Sequence, residues 1–348
     1  MRPDAADDPS GTAEALLDPL RSRIDLVLFE FLDARRSETA ALAPGAGPLV
    51  DELLRLLRAG GKRIRPALCY WGYRAAGEPD GEEILRPAAA VELLHTFALI
   101  HDDVMDEAPT RRGVQTSSGA FASRNGSGWF SPERFGRAAA ILAGDLSAAL
   151  ADELFFEAAF DRELLERVFA RFGRMRLEMV AGQFLDVGSG PAGDEDAARR
   201  VSRLKTGSYT IEGPLAVGAI LGGASEELLS MLSAFGVPLG EAFQIGDDLD
   251  AIVGSDRAAE AGGANVVVAI AARLATPAER QMLDDPESRT TEAIRSVVAS
   301  TGAAFRALEL RDQLVRRARA AVDPAMLPED AAAALHVAVD LVATPEEA

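Results

Sequence analysis

Two groups of aspartates could do chemistry in this sequence. Asp102, Asp103 and Asp106 stand in HTFALIHDDVMDEAPTRRG, residues 95–113, and Asp247, Asp248 and Asp250 stand in FQIGDDLD. Asp102 and Asp106 are four residues apart, so on a helix they share a face, one turn apart. Like charges so placed repel unless a cation sits between them. Carboxylates at this spacing suit Mg²⁺, a hard cation that takes oxygen ligands and keeps waters and substrate phosphates in its shell. Both clusters follow apolar helix, the first directly behind Phe97, Ala98, Leu99 and Ile100. A substrate with an anionic head and an apolar tail fits that order. One DDxxD alone is weak, because acidic helix faces are commonly just solvated. Two of them, in a chain with separate cationic motifs, resist that reading. Together they suggest an apolar cavity with acidic walls at its mouth, of the kind built between facing helices.

The cationic motifs are distinct. In GGKRIRP, residues 60–66, Lys62, Arg63 and Arg65 bunch ahead of a helix that Pro66 helps to start. Cations at a helix N-terminus make a ready anion site; the alternative is a solvated basic turn. Arg111 and Arg112 follow Pro109, which is expected to end the helix of the first cluster. Lys205 and Thr206 open LKTGSYT, where Gly207, Gly213 and Pro214 suggest a kinked or broken helix. Of 36 basic residues only Lys62 and Lys205 are lysine, and both fall in these motifs. Zinc needs several His or Cys ligands, and three histidines and one cysteine do not suit it. Glu178, Gln183 and Asp186 read as helix-surface residues.

The elements that must position these residues are helices. Leu16, Leu17, Leu20, Ile24, Val27, Leu28 and Phe31 recur at helical spacing from about Thr12 to Ala40. A second helix starts at Pro48 and stops at Gly60–Gly61. The first acidic cluster lies on a helix expected over 86–108, followed by a Gly/Ser/Pro loop at 123–136. Two long helices are expected near 134–158 and 161–187. Another runs over 226–253 with the second cluster near its end, and then come a loop at 254–264 and short helices. No strand pattern of any length appears, so the fold class is all-α, with an acidic disordered tail at 1–12 and one domain over 13–348. A net charge of −19 disfavours nucleic acid and anionic membranes as partners. The lone Cys69 fits a reducing interior. With no signal-peptide layout and no apolar run long enough to span a bilayer, a cytoplasmic protein is expected.

The motifs GGKRIRP, LLHTFALIHDDVMDEAPTRRG, LKTGSYT and FQIGDDLD follow one another in the order and spacing of the polyprenyl synthetase family, the trans-isoprenyl diphosphate synthases. The sequence resembles that family over about residues 20–342, and its C20-forming (geranylgeranyl) members in particular. The resemblance implies a helical bundle of the isoprenoid-synthase type around a deep central cavity, usually a homodimer. It implies Mg²⁺-dependent, head-to-tail condensation of isopentenyl diphosphate with an allylic diphosphate. By motif, Asp102, Asp106 and Asp247 would ligate about three Mg²⁺ ions on the allylic diphosphate, with Asp248 a supporting member of the metal set and Asp103 in support. Arg111 and Lys205 would contact that diphosphate. Lys62, Arg65, His95 and Arg112 would hold isopentenyl diphosphate, and Thr206 and Gln244 would face the allylic cation. His101 would be structural or would support the site from behind its ligands. Phe97, five residues or about 7.5 Å before Asp102 along a helix, would floor the product cavity beside the small Ala98. That pattern suits a C20 product, with C15 next; ordinary core packing is the alternative role for Phe97.

One segment departs from the family. After the second cluster the chain reads DDLDAIVGSDRAAEAGGANVVVAIAARL, without the two lysines that usually follow, and Ala251 closes the second D-x-x-D. Arg257 is the one cation before Arg273. Three activities stay open: a synthase with a looser second site, a cyclase derived from one, or a weakly active partner subunit. The intact isopentenyl-side set favours the synthase.

Overall fold

The protein is described by a computed structural model that covers residues 9–111, 113–124, 129–189, 194–253 and 264–343, with side chains from residue 20. Arg112, Arg257 and most of the 254–264 loop lie outside the described residues, as does the expected tail up to residue 8. The described chain is helical apart from one small hairpin, and it divides into two compact units. The first comprises Leu16–Tyr70 and Asp80–Asp161; the second comprises Trp71–Pro79 and the chain from Arg162 onward.

The first unit contains α1 (Pro9–Leu42), α2 (Gly47–Arg58), the start of α3 (Ile64–Ala75), α4 (Leu85–Met105), α5 (Ser117–Arg124) and α6 (Pro132–Phe156). Its helices follow their apolar periodicity. In α1, Leu20, Ile24, Leu28, Phe31 and Leu32 are buried; in α2, Val50, Leu53, Leu54 and Leu57 are. These stripes at i, i+3, i+4 and i+7 bury one face, and each fully buried Leu contributes about 1.5–3 kcal/mol relative to exposure. α6 starts where Pro132 supplies a preset φ and the Ser131 hydroxyl accepts the Arg134 N–H, and it packs on α4 through small residues. A Cβ on Gly144 would lie 2.3 Å from Cδ2 of His101, so glycine here makes room for the imidazole.

α4 ends at Met105, three residues before the predicted stop. Proline is not what ends it. Asp106 caps it, Glu107 turns left-handed at φ 50°, and two reversed hydrogen bonds close the end: Glu107 N–H to Val104 O at 3.4 Å and Ala108 N–H to Asp103 O at 3.0 Å. This is a Schellman closure with glutamate where glycine is usual. A two-residue antiparallel hairpin follows, β1 (Thr110–Arg111) against β2 (Val114–Gln115), too short for the sequence pattern to signal.

The second unit contains α7 (Arg162–Gly188), α8 (Glu195–Ser202), a π-helical segment (Arg203–Glu212), α9 (Gly213–Leu221) and α10 (Glu226–Val253). After these come α11 (Val266–Leu274), α12 (Pro277–Asp284), α13 (Thr291–Thr301), α14 (Ala303–Ala321) and α15 (Glu329–Ala343). The break expected at LKTGSYT takes the form of the π-helical turns, which carry Lys205 and Thr206. π geometry is rare and often marks functional positions. It packs on α10 by close backbone approach: a Cβ on Gly240 would lie 2.5 Å from the Cα of Gly207. The stretch Glu226–Ile252 is long and apolar enough to cross a membrane by length and composition, which the sequence reading did not anticipate. Over half of its most apolar window is buried within the fold and it ends in the second acidic cluster, so it serves as a core helix.

Candidate active site

In the first unit, α4 presents the first acidic cluster and β1 supplies its cation. Arg111 Nε donates to Asp103 Oδ1 at 2.7 Å, and its Nη2 donates to Asp102 Oδ2 at 3.0 Å. The Asp103 side chain is buried, Asp102 half-buried and Asp106 exposed. Burial raises the Asp103 pKa above the usual carboxylate range, opposed by the Arg111 charge beside it. Burial lowers the Arg111 pKa, but the Asp103 and Asp102 carboxylates outweigh it and leave the guanidinium more firmly charged. The Asp106 N–H still donates to Asp102 O at 2.9 Å, so the backbone keeps these two residues one helical turn apart although Asp106 only caps the helix.

Two turns earlier on α4, His95 Nε2 lies 3.2 Å from Arg65 Nη1. A guanidinium can only donate, so in this pair the ring nitrogen takes the acceptor role. Positions i and i+7 share a helix face, and seven residues rise about 10 Å. One face of α4 thus holds an Arg–His pair and, about 10 Å along, a carboxylate pair with its own arginine.

GGKRIRP splits its cations. Lys62 is exposed and Arg65 half-buried, but Arg63 is buried. Arg63 donates to Asp25 Oδ1 at 2.8 Å, Glu92 Oε1 at 2.9 Å and the Leu57 carbonyl near the end of α2 at 2.7 Å. It therefore serves the core, and the three-cation anion site read from sequence reduces to Lys62 and Arg65. His101 Nε2 donates to the Ile141 carbonyl at 3.1 Å, which ties α4 to α6 and suits the structural part assigned to it. Phe97 is half-buried, edge-on to the His101 ring with centroids 4.7 Å apart.

In the second unit the acidic cluster is held differently. Asp247 and Asp250 are exposed, whereas Asp248 is buried. Gln244 Nε2 donates to Asp248 Oδ1 at 2.8 Å, and the Val266 N–H at the start of α11 donates to Oδ2 at 2.7 Å. Burial pushes the Asp248 pKa up to about 7 despite these two donors, and the charges of Asp247 and Asp186 add to the rise. With both oxygens so engaged, Asp248 fits the supporting place given to it better than direct metal ligation. Gln244 spends its NH₂ on Asp248, which turns its carbonyl oxygen the other way. Lys205 Nζ donates to Asp186 Oδ2 at 2.7 Å, and the Ala264 N–H donates to Oδ1 at 2.7 Å. Thr206 is buried beside Lys205 in the π segment.

Asp186, expected from sequence on the helix surface, is instead buried. It lies three positions after Gln183 on a helix whose neighbours Phe184 and Val187 are exposed apolar residues, so periodicity gave no inward signal. Glu178, also expected on the surface, is half-buried: it receives the Ser208 hydroxyl from the π segment and Arg174 Nε at 2.6 Å.

Residues 48–301 match the family model described as polyprenyl synthetase. The chain is similar to a geranylfarnesyl diphosphate synthase of Aeropyrum pernix, 34% identical over 59% of this chain and 61% of that one. It is similar also to a farnesyl diphosphate synthase of Geobacillus stearothermophilus, 36% identical over 61% of this chain and 69% of that one. The chain thus spans about three fifths of the Aeropyrum relative's length. Among solved structures it resembles geranylgeranyl pyrophosphate synthase from Corynebacterium glutamicum, crystallised with isoprenyl diphosphate and magnesium. That likeness has a TM-score of 0.84 and 29% identity, over 96% of this chain and 99% of that one. The motifs, the all-α fold and a family match that covers most of its length agree: the chain belongs to the polyprenyl synthetase family.

Proposed function

We propose that this protein is a trans-prenyltransferase that joins isopentenyl diphosphate head-to-tail to an allylic diphosphate, with C20 as product and C15 as the next choice. The observation that carries this reading is the face of α4, where the Arg65–His95 pair and the Arg111-braced Asp102 lie about two helical turns apart. That arrangement suits two anionic head groups, one met by cations and one met through metal. By the resemblance, Asp102, Asp106 and Asp247 would hold Mg²⁺, about three ions. The donor set fits: these are carboxylates, the Mg²⁺ ligand class, and Asp106 and Asp247 are exposed to solvent. Mg²⁺, when bound, would neutralise charge on the departing diphosphate.

The chain's own residues do the rest. Arg111 and Lys205 contact the allylic diphosphate, and Asp103 and Asp186 aim them. Lys62, Arg65, His95 and Arg112 hold isopentenyl diphosphate. As the allylic C–O bond breaks, the Thr206 hydroxyl and the Gln244 carbonyl present oxygen dipoles to the cation. Apolar surroundings exclude water, so the isopentenyl double bond attacks first. The new C–C bond forms, and a proton leaves to the released diphosphate. Phe97, braced on His101, floors the product cavity. A second copy would cover the exposed Phe135, Ile141, Leu142 and Phe156 of α6, which supports a homodimer. The buried, unreactive Cys69, its thiol pKa raised by burial, suits the cytoplasm.

One assay tests this: Mg²⁺, labelled isopentenyl diphosphate and C5, C10, C15 or C20 allylic primers. Label in a longer prenyl diphosphate is the expected result. Hydrocarbon released from a C20 diphosphate alone would assign a cyclase instead, and silence in both would assign a partner subunit. Phe97→Ala is expected to lengthen the product; an unchanged product would return Phe97 to ordinary packing.

A further inference from the structure

The hairpin that carries Arg111 has only two residue pairs, Thr110 with Gln115 and Arg111 with Val114. An isolated ladder of that length has no stability of its own, so its position depends on what ties it down. One tie is at its base. Buried Thr116 donates its N–H to Pro109 O at 3.2 Å and its hydroxyl to Ala108 O at 2.8 Å. A second is the Arg111 guanidinium itself, on Asp102 and Asp103, and a third comes from α2, far away in sequence. Glu52 is completely buried, and Arg55, one turn on, grips it with a fork: Nε to Oε2 at 2.9 Å and Nη2 to Oε1 at 2.6 Å. The second hydrogen of the same Nη2 goes to the Gln115 carbonyl at 3.0 Å. A carboxylate without solvent cannot give up its cation cheaply, so Arg55 has no freedom to leave. A guanidinium held by two planar bonds then offers its second Nη2 hydrogen at a fixed point. Arg124 Nη2, 3.9 Å from Glu52 Oε2 and more exposed, stands at the edge of this arrangement.

We propose that Glu52 and Arg55 are positioning residues for the hairpin: the buried pair fixes the Gln115 carbonyl, and through the Thr110–Gln115 pairing it sets where Arg111 meets Asp102 and Asp103. The inference rests on the reading of Arg111 and Arg112 as diphosphate contacts for its kinetic consequence, but not for its structural one. The pair touches no reacting atom. Its effect is on substrate affinity, by holding an arginine, Arg111, that would otherwise have to be ordered at each binding event.

The test uses the full chain and two variants. Glu52→Gln/Arg55→Met removes both charges together, so that no buried carboxylate is left alone. Arg55→Lys keeps a cation against Glu52 but loses the fork. In the double variant, amide exchange at Val114 to Thr116 should quicken about tenfold or more, and trypsin should begin to cut after Arg111. KM for the diphosphates should rise about tenfold with kcat within about twofold of wild type. Arg55→Lys should move the same quantities by about threefold, between wild type and the double variant. Unchanged exchange and nicking in a folded variant would overturn the strap. Loosened exchange with an unchanged KM, or a loss confined to kcat, would overturn the positioning role. Should the double variant not fold, the exchange and KM of Arg55→Lys decide alone. A wild-type protein that turns over no substrate would instead count against the proposed activity, with exchange and nicking still deciding the strap.

Discussion

The two acidic clusters share a sequence pattern and differ in what balances their charge. At the first, a whole guanidinium does it: Arg111 bridges Asp102 and Asp103 from a hairpin. At the second, Asp248 is met by two neutral donors, the Gln244 amide and the Val266 N–H, while Asp186 shares itself between Lys205 and the Ala264 N–H. Two of these four donors are backbone N–H groups at or just before the start of α11, the positive end of its dipole. One cluster is thus held by a side chain carrying full charge; in the other, Asp248 is held by neutral donors, one a side-chain amide and one a backbone N–H, and the one ammonium goes to Asp186. The contrast bears on the lysines missing after Asp248. The described residues there are Ala264, Asn265, Val266 and Val267, and the last three are buried. They offer N–H groups and an Asn265 cap on the Val268 N–H at 3.0 Å, rather than ammonium groups.

The largest expected effect tests that contrast directly. Arg111→Met leaves Asp103 buried without its counter-charge and should lower kcat/KM about a hundredfold, the equivalent of nearly 3 kcal/mol. Asp248→Asn keeps an oxygen for the Val266 N–H and should cost about tenfold. Steady-state kinetics at saturating Mg²⁺ measures both. Equal losses would mean that the two clusters rely on charge alike.

A smaller effect separates the clusters by pH. The Asp248 pKa in the fold is about 7, raised by burial from an ordinary 3.8. Between those values the folded chain holds a proton that the unfolded chain has lost. The contribution of Asp248 to stability is therefore full below about pH 4 and is lost as pH rises through 7. Thermal melts in chelator from pH 4 to 8 should show wild-type stability falling across this window relative to Asp248→Asn, by about 1 kcal/mol per pH unit. Asp103 is raised in the same direction, but Arg111 opposes the rise, so a shallower slope should remain in the variant. Parallel curves for the two proteins would show that Asp248 ionises in the fold as freely as in water.

What the sequence could reveal follows the range of the interactions. Helices with an apolar stripe were legible because periodicity is local: the starts at Pro48 and Pro66, the long pair ahead of and after residue 160, and the helix of the second cluster all stand close to where their residues predict. The all-α class followed from them. Aspartates and cations in motifs were legible as types and spacings. Their partners were not, because a partner is a tertiary fact. Arg63 and Arg65 look equivalent two residues apart, yet left-handed backbone at Arg63 turns one into the core while the other meets His95. Asp186 carries no periodic mark, and its role exists only once Lys205 and Ala264 arrive beside it. The Glu52–Arg55 pair reads as an ordinary i,i+3 helix-surface pair until the burial of Glu52 is known. The π-helical turns at 203–212 were visible only as an expected break, since glycines signal a departure from α geometry without specifying which.

The smallest effect concerns the end of α4, where Glu107 closes the helix in a conformation that favours glycine. A non-glycine residue at φ near +50° pays about 1–2 kcal/mol in contact between Cβ and backbone. Arg63, the other described non-glycine residue with positive φ, has three hydrogen bonds to offset it; Glu107 is exposed at the helix end. Glu107→Gly removes the strain but enlarges the freedom of the unfolded chain, which takes back about half of the gain. The net expectation is roughly 0.5–1 kcal/mol of added stability, a rise of about 1–2 °C in Tm for a chain of this size. The N–H bonds to Val104 and Asp103 carbonyls persist in glycine, so Asp102 and Asp106 should stay stacked and KM for the allylic diphosphate should hold. A higher Tm with KM unchanged locates the strain in the closure itself. A higher Tm with a raised KM would show that the strain is part of how the first cluster is aimed, a feature for which the buried carboxylate of the second cluster has no counterpart.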